Sequence, residues 1–131
     1  MRLLVDTHAF LWTASEPSRL SERVRALIAD PTNLLYLSHA SVWEIAIKHK
    51  TGKLILPNEP SIWVPMRAAR HFMSDLPIKI EHVFRAGSLP LHHRDPFDRL
   101  LVAQAQVEGL TLLTADSRLS AYDVPVILAT E

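Results

Sequence analysis

Four acidic residues stand where chemistry could be done: Asp6, Glu44, Asp98 and Asp116. Asp6 follows the apolar run Leu3-Leu4-Val5, and Asp116 follows the run from Leu110 to Thr114. Glu44 and Asp98 fall in the first turns of apolar helical stretches. In a parallel α/β sheet, the carboxyl ends of the strands and the adjacent helix starts border the ligand crevice. Four carboxylates meeting there repel one another, by about 4 kcal/mol per close pair at an effective dielectric of about 20. A divalent cation removes that cost. The chemistry to expect is metal-assisted hydrolysis of a phosphodiester.

The elements that would position these acids alternate between short apolar runs and helical patterns. Leu3 to Val5 reads as a buried strand and Thr7 to Ala14 as a helix with Asp6 as its N-cap. Ser21 to Ala29 is a second helix, capped by Ser21 and stopped before Pro31, with Val24, Leu27 and Ile28 on one face. Leu34 to Leu37 is a second strand, and Ser41 to Lys50 a helix closed by Gly52. The stretch between Pro57 and Pro77 is mostly helical in pattern, with Pro65 obscuring its start. Ile78 to Ile80 is expected as a short strand, and Glu81 to Ala86 as a short helix ending at Gly87. After a loop from Leu89 to Arg94, Pro96 to Glu108 is the clearest helix, closed by Gly109. Strand Thr111 to Leu113, a turn or short helix from Ser117 to Ala121, and strand Val126 to Leu128 complete the chain. Apolar strands alternating with helices predict a three-layer α/β/α sandwich around a mostly parallel sheet.

Composition narrows the classes. The 131 residues suit one domain, and a hydrophobic content of 48% argues for a core rather than disorder. Cysteine is absent, which excludes disulfides and thiolate zinc sites. Asp6 and His8 interrupt the apolar start too early for a signal segment, and no apolar stretch reaches the roughly 20 residues of a membrane span. The expected location is the cytoplasm, with no membrane partner. Fourteen basic residues balance fourteen acidic ones. With four acids assigned to a metal, the remaining surface is net positive, which suits phosphate backbones.

Each acid also has an ordinary explanation. Ser41-Val42-Trp43-Glu44 matches the Ser-x-x-Glu capping box. Asp95-Pro96-Phe97-Asp98 supplies an N-cap, a first-turn proline and an acid favoured by the helix dipole. Asp6 and Asp116 can serve as simple N-caps. Capping alone would be met by Ser, Thr or Asn, yet acids occupy these places. Thr7 and Thr114 stand beside two of them and could orient a carboxylate or a water. Carboxylate and water ligands suit Mg²⁺ or Mn²⁺ rather than zinc.

These segments together resemble the PIN-domain proteins of the VapC type, the toxin ribonucleases of toxin–antitoxin pairs. The likeness runs through Leu4-Val5-Asp6-Thr7-His8, Ser41-Val42-Trp43-Glu44-Ile45-Ala46, His93-Arg94-Asp95-Pro96-Phe97-Asp98-Arg99-Leu100-Leu101 and Leu113-Thr114-Ala115-Asp116. The resemblance implies a parallel sheet between helices, with acids at one sheet edge around Mg²⁺ or Mn²⁺. Asp6, Glu44, Asp98 and Asp116 match the family's four acidic positions; Asp95 is a further candidate whose capping role already accounts for it. The implied activity is hydrolysis of RNA, with Asp6, Asp98 and Asp116 as direct or water-mediated ligands. Glu44 either ligates or positions the attacking water. A homodimer and a small VapB-like antitoxin are the implied partners.

The other polar residues divide between cleft and scaffold. His93, Arg94 and Arg99 are candidates for substrate contact or for packing at the cleft rim; Thr7, Thr114 and Arg118 are candidates for substrate contact. Lys48, Lys50 and Lys53 could track a nucleic-acid backbone or simply solvate a helix end. His8, His92 and His93 near Asp95 raise a zinc alternative, weakened because no pair has helix-face spacing. Trp12, Trp43 and Trp63 suit core, dimer contact or antitoxin groove better than base stacking. Three other functions fit the residues less well. A phosphatase with Asp6 as nucleophile lacks the second acid, His8 standing in its place; a receiver-like module lacks paired acids after the first strand. A catalytically silent PIN-like scaffold that binds metal or RNA is the remaining alternative.

Overall fold

The computed structural model describes residues 1–131. Five strands, β1 (Arg2–Val5), β2 (Leu34–Ser38), β3 (Met73–Leu76), β4 (Thr111–Thr114) and β5 (Val126–Leu128), form one sheet in the order β3-β2-β1-β4-β5. Every neighbouring pair is parallel. The chain winds outward from β1 to β3 on one side, then returns to the other side of β1 for β4 and β5. That reversal places the topological switch between β1 and β4, where a crevice opens at the carboxyl ends. Val5 lies opposite Leu113, so Asp6 and Thr114 are level at that end.

Helices α1 (Thr7–Ser15), α2 (Glu22–Ala29), α3 (His39–Lys50), α4 (Pro60–Arg70), α5 (Ile80–Ser88) and α6 (Pro96–Glu108) flank the sheet, with 3-10 turns at Pro17–Arg19 and Ser117–Ala121. The sheet is buried on both faces. Leu3 and Val5 join Phe10, Val24, Ile45 and Trp63 in one core, whereas Leu4 joins Leu101, Val102, Leu112 and Leu119 in the other. Two-sided burial explains why β1 and β4 read as unbroken apolar runs rather than alternating ones. α3 runs from one core to the other, with Ala40 in one and Ile45 in the opposite. No helix is long and apolar enough to cross a membrane.

Several expected boundaries shift. The helix between Pro57 and Pro77 stops at Arg70, and a strand follows at Met73–Leu76 in place of the one expected at Ile78 to Ile80. Between them Phe72 adopts a left-handed φ of 56°, which turns the chain off the helix. β3 is an edge strand with Ser74 and Asp75 exposed, so its apolar signal is confined to Met73 and Leu76. Ile80 opens α5 instead of closing a strand, and α5 runs through Gly87 to Ser88. α3 begins at His39, capped by the Ser38 hydroxyl, which accepts the Ala40 amide at 3.0 Å. The expected Ser41 capping box does not form, because the Ser41 oxygen accepts the Thr7 hydroxyl at 2.9 Å across the buried α1–α3 contact. Glu44 therefore lies in the second turn of α3. It is not a capping residue.

Candidate metal centre

Asp6 is both an N-cap and a buried acid at the switch point. Its Oδ1 accepts the Ala9 amide at 2.8 Å, while its Oδ2 accepts the Thr114 hydroxyl and the Ala115 amide. Burial pushes its pKa up, against the lowering effect of these donors. The donors fix the carboxylate's direction, as a pre-set ligand requires.

Glu44 approaches from α3, 5% exposed. Its Oε2 pairs with the Lys48 ammonium at 2.8 Å, one helical turn on. Its Oε1 is buried without a hydrogen-bond partner. An orphaned carboxylate oxygen is costly in a protein interior unless something else satisfies it.

Asp98 sits in the first turn of α6, where Asp95 caps the helix by accepting the Phe97 amide at 2.8 Å and the Asp98 amide at 3.4 Å. Its pKa is raised to about 7, first by burial and then by the charges of Asp95, Asp6 and Glu44. Acids from three distant segments thus bear on Asp98. The donors are all oxygen, one of them unpaired, and the field is negative. This fits a hard divalent cation.

Asp116 lies beyond the end of β4. Its Oδ1 accepts the Arg118 amide, and the Arg118 guanidinium straddles the carboxylate, with Nη2 2.7 Å from Oδ2. That pairing, ahead of the other contacts, holds the Asp116 carboxyl well below the usual range. His93 links Asp116 to Asp98: its Nε2 is 3.0 Å from Asp116 Oδ2 and 3.3 Å from Asp98 Oδ2. His93, Asp98 and Asp116 present polar atoms within 4.8 Å of one another.

Two clefts open beside the acids. One of about 450 Å³ is lined by Glu44, Lys48, Lys53, Arg94, Asp95 and Phe97, among others. The other, about 430 Å³, includes His8, Trp12, Arg19 and Ile55, and shares Lys48 and Lys53 with the first. The rim is therefore cationic around an anionic centre.

Some expected contacts belong to the scaffold instead. Thr7 is buried against Ser41, and Thr114 is buried against Asp6 and the Asp116 amide, so both hydroxyls are engaged within the protein. Arg99 is half-buried and engaged by the protein itself: its guanidinium donates to the carbonyls of Ala86, Leu89, Pro90 and His93, pinning the loop ahead of α6. Arg94 remains exposed at the rim. Arg118 is also exposed, although its guanidinium is engaged by Asp116. The histidine trio does not gather. His8 and His92 are exposed, His92 lying edge-on to Tyr122, and only His93 reaches the acids. Trp63 is core, edge-on to Phe10; Trp12 is half-buried under Arg19; Trp43 is 61% exposed and edge-on to Phe97.

Sequence reasoning missed Tyr122, whose hydroxyl accepts the His93 amide at 3.0 Å. His93, a candidate for substrate contact or rim packing, stands instead between Asp98 and Asp116. No periodicity marks either one. The one local signal is the two-residue step from His93 to the cap Asp95.

A family model described as PIN domain matches residues 3–125. Over 62 residues the chain is 40% identical to "Ribonuclease VapC16" of Mycobacterium tuberculosis, a match covering 47% of this chain and 43% of that protein. The match thus spans less than half the length of that curated relative. Among solved structures, a chain of VapBC2 from Rickettsia felis, bound to a promoter DNA fragment, superposes with a TM-score of 0.74 at 14% identity, covering 98% of each chain. A chain of VapBC-5 from Mycobacterium tuberculosis, described as a member of the VapBC family of toxin–antitoxin systems, superposes with a TM-score of 0.62 at 15% identity. It covers 99% of this chain and 98% of that one. At such identities these structures establish the shared fold.

Proposed function

This chain belongs to the PIN-domain family, and from that premise we propose that it is a metal-dependent endoribonuclease acting as the toxin of a toxin–antitoxin pair. One observation carries the reading: burial, together with the charges of Asp95, Asp6 and Glu44, raises the Asp98 pKa to about 7, and one Glu44 oxygen is left unpaired. The name of the partial relative, a ribonuclease, supports the substrate class, and the toxin–antitoxin description of a fold neighbour supports the biological setting.

Asp6, Asp98 and Asp116 are the residues that would hold Mg²⁺ or Mn²⁺, with Asp95 at the margin. When bound, such an ion supplies an activated water and neutralises charge on the phosphate oxygens. Thr114 and the Ala115 amide keep Asp6 aimed. Glu44, with Oε2 held by Lys48, has Oε1 free to orient the attacking water. Lys53 and Arg94 line the cleft, and their charge supports a role in meeting phosphates flanking the scissile one.

The chain reads as one domain over 1–131. A homodimer and a VapB-like antitoxin are the proposed partners, and the exposed Trp43 and Ile47 on α3 offer an apolar face for such contacts. The proposed location is the cytoplasm.

Cleavage of structured RNA with Mg²⁺ or Mn²⁺, compared with a chelator, tests the activity. Cleavage is expected only with metal, and Asp6→Asn is expected to reduce it to background while remaining folded. Undiminished cleavage by Asp6→Asn, or in chelator, overturns the mechanism. A protein that binds the metal and RNA without cutting would instead be a scaffold.

A further inference from the structure

We propose that His93 is a positioning residue: with Nδ1 taken by the Asp95 amide, its Nε2–H is fixed between Asp98 and Asp116 and sets the spacing of the two carboxylates. The inference rests on the metal-dependent reading above and concerns how that site is built.

The lock follows from hydrogen-bond direction. The Asp95 backbone amide donates to His93 Nδ1 at 3.0 Å. An amide always donates here, so Nδ1 must offer its lone pair and cannot carry a proton. In a neutral ring the proton then resides on Nε2. That N–H points between the two acids, donating to Asp116 Oδ2 at 3.0 Å with Asp98 Oδ2 at 3.3 Å. With both nitrogens committed, His93 has no lone pair free for a metal. It is therefore not a nitrogen ligand, although it stands among the acids.

The backbone that carries the ring is held as well. The His93 amide donates to the Tyr122 hydroxyl, and its carbonyl accepts from Arg99. Arg99 also ties down Ala86, Leu89 and Pro90, and Asp95 is itself fixed as the α6 cap. His93 is 8% exposed. A histidine held this way cannot swing out as a mobile substrate contact would. A single ring nitrogen thereby meets one oxygen of each acid and fixes their separation. Hydrogen bonds to ligating carboxylates commonly decide metal affinity at one remove.

The test uses the full chain. Nitrogen NMR of the metal-free protein reads the His93 tautomer directly; an unprotonated Nδ1 and a protonated Nε2 are expected. Calorimetric titration with Mn²⁺ then compares wild type, His93→Ala and His93→Gln, after thermal melts confirm folding. His93→Ala is expected to weaken Mn²⁺ binding by about tenfold or more. His93→Gln, whose amide nitrogen can reach the Nε2 position and donate without charge, is expected to restore most of it. A protonated Nδ1 overturns the proposal even if His93→Ala fails to fold. So does a His93→Ala protein that binds Mn²⁺ as tightly as wild type, or a His93→Gln protein as weak as His93→Ala. If wild type takes up no Mn²⁺, the metal-dependent reading falls as well; tight uptake by both wild type and His93→Ala overturns this inference alone.

Discussion

Two buried histidines in this protein are wired alike yet sit in opposite electrostatic settings. His82 in α5 accepts the Lys79 amide on Nδ1 at 2.9 Å and presents Nε2 to Glu108 Oε2 at 2.9 Å. His93 accepts the Asp95 amide on Nδ1 and presents Nε2 to Asp116. Around His82 the polar groups close on themselves. Lys79 lies 3.5 Å from the same Glu108 oxygen, and the buried Gln104 bridges to Ser38 and to the Pro77 carbonyl. Around His93 they do not close. The charges of Asp95, Asp6 and Glu44 bear on Asp98, Lys48 pairs with Glu44 and Arg118 with Asp116, and Glu44 Oε1 has no partner. The titrations follow suit: the His82 contact lowers Glu108, whereas burial and neighbouring acids raise Asp98. The same histidine–carboxylate unit is thus a fastening in one place and stands among uncompensated acids in the other. Uncompensated charge marks the difference.

The sharpest way to break the comparison is Asp98→Asn. With its folded pKa near 7 against an ordinary 3.8, Asp98 stays protonated in the folded chain while ionised in the unfolded one across that interval. The unfolded state then binds fewer protons, so this group's contribution to stability falls as pH rises through the window and levels off above it. Asp6, also raised, adds to the same trend. Asp98→Asn is expected to be more stable than wild type at pH 7.5 without metal, by on the order of a few kcal/mol. That advantage should shrink towards pH 4, as urea melts would show. Added Mn²⁺ should stabilise wild type far more than the variant. Equal melts at both pH values would remove Asp98 from the acid cluster.

A smaller effect is expected at the closed network. Gln104→Ala leaves buried groups of Ser38 and Pro77 without their partner and should cost about 1–3 kcal/mol. Mn²⁺ affinity should stay unchanged, because the network touches no acid of the candidate centre. A loss of Mn²⁺ binding equal to the loss of stability would show that the two regions are one unit.

The smallest expected effect separates two serines that local pattern confuses. Ser38→Ala removes the α3 cap together with the Gln104 contact, and should cost more than the roughly 1 kcal/mol of a typical cap. Ser41→Ala removes one buried bond to Thr7 and should cost about 1 kcal/mol. The reverse order in denaturant melts would restore the capping box at Ser41.

Much of the fold was legible because burial writes itself into composition. β1 and β4 are apolar on both faces, and α6 carries its own start and stop in Asp95-Pro96 and Gly109, whose left-handed φ of 67° suits glycine. β3 was illegible because its register beside β2, not its residue types, makes it a strand. The start of α3 was misread because Ser41 satisfies a local code, while the bond that claims its oxygen comes from Thr7, 34 residues away.

By itself, the sequence determined that acids stand at strand ends and early in helices, and that two apolar layers enclose a sheet, since these depend on local propensity and patterning. Only the tertiary structure decided that an imidazole sits between Asp98 and Asp116, that Arg99 faces inward, and that one oxygen of Glu44 is orphaned. Those outcomes depend on how α3, α6 and β4 converge at the switch point. Contacts across such separations leave no periodic trace in the chain.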